Sequence, residues 1–232
     1  MNPQPFLNRL TLRMRYLPGV MIFTVFILTA NPGWCEYKSM GDRVVSMLKY
    51  SAGVFSAFMI HEGAHLVAAE ATGTHIDWEL GNYNQPLAYT EEASSDSDGL
   101  ILNSAGLVAQ TLGSEIILQV DRIDKNDDFV RGMMHWNILN PIFYALDYWF
   151  IHITNDETAD GYQGDIQGIE HYSDEKTANM FAASMVAIAG IQGYRFLKTQ
   201  DWAPDWLKDE AQNLNFAPVK SGGFSFNYTI NF

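Results

Sequence analysis

The chain has 232 residues, 47% of them hydrophobic, with six Trp, eleven Tyr and fourteen Phe, and carries a formal net charge of −13. That length and apolar content suit one domain with a sizeable core and exclude a disordered chain, while the acidic balance leaves no basic patch for phosphates and excludes nucleic acid as a partner. A single cysteine, Cys35, excludes an internal disulfide framework and any Cys-rich zinc module, so metal chemistry must come from histidines and carboxylates.

Residues 1–35 read as a signal peptide or N-terminal anchor. Arg9, Arg13 and Arg15 precede an apolar run over 16–30 that is short for a bilayer span, and Asn31-Pro32-Gly33 breaks it. The expectation is a bacterial-type secretory signal cleaved between Ala30 and Cys35. Trp34 before Cys35 argues against a lipoprotein box, which wants a small residue there. Left uncleaved, the same segment is a membrane anchor. Either way residues 36–232 leave the cytoplasm, for the periplasm or cell envelope, in association with a membrane.

The next element is a helix over about 42–72, ending at Thr72-Gly73, and the rest of the chain is organised around it. Met47, Val54, Phe58, His61, His65 and Ala68 recur near one face, which is the face expected to be buried. Within it lies His61-Glu62-Gly63-Ala64-His65, the His-Glu-x-x-His pattern. Residues four apart on a helix lie one above the other, so His61 and His65 present two imidazoles to one ion while Glu62 stands beside them. Neutral imidazoles suit Zn²⁺, and a catalytic zinc keeps one position open for a water whose proton Glu62 can take.

Residues 74–80 alternate, Gly81-Asn82 supply a turn and 86–91 return, a small β-hairpin. His75 follows His65 by ten positions, whereas a three-histidine zinc pattern needs its ligand at Ala71, so His75 reads as structural. A loop over 94–98 leads into a helix over 99–120. Ser104-Ala105-Gly106 and Gly113-Ser114 give it a small-residue face suited to close packing, with the metal helix as candidate neighbour. Its polar members are Asn103, Gln110 and Glu115.

The charged stretch 121–128 lacks the Gly and terminal Glu of an EF-hand and reads as a solvated linker. An aromatic helix follows over 129–153, with Asn140-Pro141 expected to kink or end it. Asp165 then sits between Gly164 and Gly168, and a helix rich in Ala and Met runs over 176–198. In the tail, Phe224, Phe226, Tyr228, Ile230 and Phe232 alternate. This is like the last strand of an outer-membrane barrel, but the chain before it is helical, so the reading is a terminal strand packed on the domain.

The five-residue motif, a small-residue helix containing Ala105-Gly106, and an Asn/Pro-plus-Asp region together resemble the site-2-protease-like zinc peptidases. That resemblance implies two histidines and a later aspartate on zinc. The family's later signature places Asn and Pro shortly before an Asp-Gly pair. Here Asn137, Asn140 and Pro141 precede Asp147, but Tyr148 stands where the glycine would be. Asp165 is the other candidate and is favoured, because a glycine-flanked turn lets a carboxylate approach a metal while Asp147 sits among bulky aromatics. Glu115 and His171 are further alternatives. Members of that family span membranes, and the runs 99–120, 129–153 and 178–197 are long enough. Against this stand a mean hydropathy of −0.09 and the charged or polar Glu115, Arg131, His135, Asp147 and Arg195. The preferred reading is an exported helical domain associated with the membrane.

The expectation is therefore a mainly α chain, a helical zincin-like domain with a small β-hairpin and a C-terminal strand. Its function would be that of a zinc-dependent peptidase acting on a peptide or protein substrate. His61, His65 and Asp165 hold Zn²⁺, Glu62 is the general base and then acid, and His135, Asn103 and Tyr144 are candidate oxyanion donors. The alternative is a non-enzymatic cell-envelope protein with a structural metal site or none.

Overall fold

Small residues decide where the helices of this chain meet. The computed structural model describes residues 39–78, 87–89, 92–152, 164–205, 214–218 and 224–228. The expected leader over 1–35, the turn at 81–82 and the last two positions of the alternating tail lie outside those residues. Helices dominate: α1 (Met40–Thr72), α2 (Asp96–Gln119), α3 (Asp128–Asp147) followed by a short π-helical segment (Tyr148–His152), α4 (Asp165–His171) and α5 (Glu175–Lys198). Two short antiparallel ladders pair β1 (Ile76–Trp78) with β2 (Leu87–Tyr89) and β3 (Leu214–Pro218) with β4 (Phe224–Tyr228).

The chain divides into two units, 1–44 and 45–232. In the first, Ser39 and Asp42 form a reciprocal capping box: the Asp42 N–H donates to Ser39 Oγ (3.2 Å) and the Ser39 N–H donates to Asp42 Oδ2 (3.1 Å). Two otherwise orphaned donors are thereby satisfied, and α1 starts at Met40, earlier than its apolar pattern implies.

In the second unit, α1 buries Gly53, Ala57, His61, Glu62, His65, Ala68 and Ala69. The expected face is buried at His61, His65 and Ala68, and Gly53 and Ala57 lie inward beside them. Met47, Phe55 and Val67 are exposed, and Val54 and Phe58 are half-buried. The reason is close backbone approach. A Cβ on Gly53 would overlap the Phe129 carbonyl, and a Cβ on Gly132 would overlap that of Tyr50. Only glycine at both points lets α1 and α3 cross at this distance.

Ser95 caps α2 by accepting from the Asp98 N–H, so the helix begins at Asp96 and Asp98 lies inside its first turn. Asp127 caps α3 by accepting from Phe129 N–H (2.9 Å) and pairs with Lys49 (3.0 Å). Burial alone would raise the Asp127 carboxyl, but the Lys49 ammonium and the Phe129 N–H outweigh it and hold it below the usual carboxylate range. The helix does not end at Pro141. The proline is buried inside α3, which runs on to Asp147. A proline costs one i−4 hydrogen bond and a steric clash, and packing from neighbouring helices can offset both.

Two hydrophobic clusters lie among α2 to α5. One gathers Leu107, Ala145, Tyr148, Ile166, Ile169, Ala178 and Ala182, and the other Ile117, Met134, Ile138, Ala189 and Phe196. The stretch expected to be a solvated linker is instead docked. Asn126 Nδ2 donates to the Thr199 carbonyl (3.0 Å), Gln200 Nε2 donates to that of Lys125 (3.0 Å), and Arg131 Nε donates to Gln200 Oε1 (2.9 Å).

Among the described residues three helices, α1, α2 and α5, are by length and composition apolar enough to cross a membrane. Large apolar side chains project outward from them, among them Phe55, Ile60, Val67, Leu112, Ile116 and Met180, while Asn103, Gln110, Ser114 and Gln192 are buried. Outward apolar side chains of this kind are consistent with association with a membrane.

Candidate metal centre

The site begins with the two imidazoles of α1. His61 and His65 are four residues apart, 2% and 4% exposed, and their Nε2 atoms lie 3.3 Å apart. Helical spacing brings the rings together, edge to face at an interplanar angle of 70°, but it does not fix their rotation. That comes from α2. His61 Nδ1 is 3.1 Å from Gln110 Oε1, and His65 Nδ1 is 2.8 Å from the Leu102 carbonyl. Each Nδ1 faces an oxygen, so each carries the ring proton and the lone pair is left on Nε2.

Asp165 is the first residue of α4 and is buried. Gly164 precedes it at φ 111°, a conformation that favours glycine and turns the chain into the helix. On the next turn a Cβ at Gly168 would overlap the Asn103 side chain, so glycine there lets α4 lie close against α2. The result is a carboxylate facing the ring pair, with Oδ2 3.3 Å from His61 Nε2 and Oδ1 3.4 Å from His65 Nε2. Oδ2 is buried with no hydrogen-bond partner.

This triangle has the dimensions of a metal site. A tetrahedral zinc with bonds of about 2.0–2.1 Å holds its ligand atoms about 3.3–3.4 Å apart, which matches all three separations. Two lone pairs and an unpartnered carboxylate oxygen also repel one another without a cation between them. His61, His65 and Asp165 form the one group of three such side chains found among the described residues.

Gly106 leaves the space. A Cβ built there would lie 2.5 Å from His65 Nε2 and 2.6 Å from His61 Nε2, overlapping both ligand nitrogens. Gly106→Ala is accordingly expected to weaken zinc binding by about 10–100-fold, the equivalent of a modest overpacking strain. A competition titration against a chromogenic chelator checks this, with circular dichroism to show that the helices persist.

Glu62 is 5% exposed, beside its neighbouring ligand His61. Of the other acidic and histidine candidates, none joins the cluster. Asp147 is exposed and accepts from Gln167 Nε2 (3.1 Å); Glu115 pairs with Arg195 (2.7 Å); His171 is exposed and edge-on to Tyr172. His75 is exposed. Among the oxyanion candidates, the Tyr144 ring lies 5.7 Å from that of His61. His135 lies 2.9 Å from the Tyr50 hydroxyl, and Asn103 donates to the Gly99 carbonyl (2.8 Å). Sequence reasoning noted Gly106 and Gln110 as a small and a polar member of one helix and missed their place at the imidazoles. The signal was their four-residue spacing, which puts both on the same face.

Comparison with protein-family models, with curated proteins and with solved structures found no match to this chain.

Proposed function

We propose that the chain is a zinc-dependent peptidase of helical, zincin-like arrangement that works at or within a membrane. The observation that carries this reading is the His61–His65–Asp165 triangle, whose edges suit a tetrahedral ion and which gathers three ligand side chains among the described residues. A structural zinc takes four protein ligands, whereas a catalytic one takes three and keeps a position for water or substrate. Bound zinc would supply a polarised peptide carbonyl and a water of pKa about 7.

The chain's own residues do the rest. Glu62, buried beside His61, takes a proton from the attacking water and returns it to the leaving amine. Gln110 and the Leu102 carbonyl keep the rings turned toward the ion. Gly106 keeps hydrocarbon away from it. The membrane part of the proposal is supported by the outward apolar side chains of α1, α2 and α5.

The test is direct. The full chain, purified in detergent, should contain about one zinc by elemental analysis. It should cleave casein or a peptide library in a manner abolished by a chelator and restored by zinc. Stoichiometric zinc without turnover would favour the non-enzymatic envelope protein. Absence of zinc would remove the metal centre.

A further inference from the structure

We infer that Gln110 and Asn140 form a relay that holds His61 in the tautomer able to bind a metal, an inference that rests on the metal-site reading above. Gln110 is fully buried in α2, and its partners come from two other helices. Its Oε1 accepts from Asn140 Nδ2 of α3 (3.0 Å) and lies 3.1 Å from His61 Nδ1 of α1.

An amide oxygen carries lone pairs and no hydrogen, so the ring nitrogen facing it must be the protonated one. The neutral ring then offers its lone pair at Nε2, the atom directed at His65 and Asp165. Had the Gln110 amide been turned over, its NH₂ would face Asn140 Nδ2, donor against donor. It would also ask for a lone pair on His61 Nδ1, leaving Nε2 as an N–H that no cation can use. Asn140 therefore sets the amide, and the amide sets the ring.

The cost of this arrangement is visible. Gln110 Nε2 is buried with no hydrogen-bond partner. An unpaired buried donor is destabilising, and an apolar side chain at 110 would avoid it, so the amide has to be accounted for by its oxygen. The two ligands also differ in kind. His65 is held by a main-chain carbonyl, which no side-chain substitution removes, whereas His61 depends on a side chain and is open to mutation.

The experiment compares the full chain with Gln110→Leu, Gln110→Glu and Asn140→Leu in detergent. Zinc affinity is read by chelator competition, the ligand field by the visible spectrum of the Co²⁺-loaded protein, and folding by circular dichroism of the metal-free form. Gln110→Leu should bind zinc about 10–100-fold more weakly, with a changed cobalt spectrum. Gln110→Glu keeps an oxygen that accepts from both partners and should retain zinc affinity within a few-fold and the parent spectrum. Asn140→Leu should fall between them. Equal weakening in the Leu and Glu variants would mean that shape, not the acceptor, matters and would overturn the relay. So would parent-like binding in Gln110→Leu, which leaves the metal centre itself intact. A parent chain that takes up neither zinc nor cobalt would overturn the relay and the metal centre together. If Gln110→Leu does not fold, the Glu and Asn140→Leu variants still decide the matter.

Discussion

Glu62→Gln is expected to keep about one zinc per chain and to lower peptide hydrolysis by about 10²–10⁴-fold, the contribution of a positioned general base. The amide has the shape of the carboxylate but cannot take up the proton of the attacking water. Solvent is a poor substitute, because Glu62 is only 5% exposed. The zinc should stay, because Glu62 is not among the side chains whose ligand atoms converge. Elemental analysis and initial rates on the same preparation separate the two effects. Retained hydrolysis would take Glu62 out of the chemistry, and lost zinc would make it a ligand.

The parts of this chain that were legible from sequence are those set by local spacing. His61 and His65 are one turn apart on any helix, so their pairing follows from period alone. Asp165 was marked by Gly164 and Gly168, and both glycines have a structural task, one at φ 111° and one against Asn103. The inward face of α1 was legible at His61, His65 and Ala68, which are buried, and less so at Met47, which is exposed. The positions that the pattern of large residues did not mark are Gly53 and Ala57, small residues that point inward, while Phe55, Ile60 and Val67 point outward. Pro141 was expected to kink or end its helix, and α3 continues through it to Asp147 because neighbouring packing can offset the lost hydrogen bond. Gln110 was out of reach for a different reason. A glutamine in an apolar helix reveals that a polar group is buried, but not which of its two ends meets which partner.

Asp165→Ala is expected to abolish stoichiometric zinc, a larger loss than the about 10–100-fold that removal of a supporting partner costs. Asp147→Asn is expected to leave zinc untouched, since Asp147 is exposed and engaged with Gln167, 3.1 Å away. The pair is informative because the sequence offered both aspartates for one role. Replacing the carboxylate of Asp165 leaves two imidazoles 3.3 Å apart, which two neutral rings with facing lone pairs do not tolerate without a cation or a shared proton. In Asp165→Ala the rings should therefore take up a proton in place of metal, since protons and metal compete for the same nitrogens. The same competition sets the sign of the pH dependence in the parent chain. Zinc occupancy should fall as the solution is taken from neutral to acid pH, because protons displace the metal from the imidazole nitrogens. Equilibrium dialysis across that range checks both statements. Zinc lost from Asp147→Asn and kept in Asp165→Ala would transfer the ligand role to α3 and, with it, require that the end of that helix move toward the imidazoles.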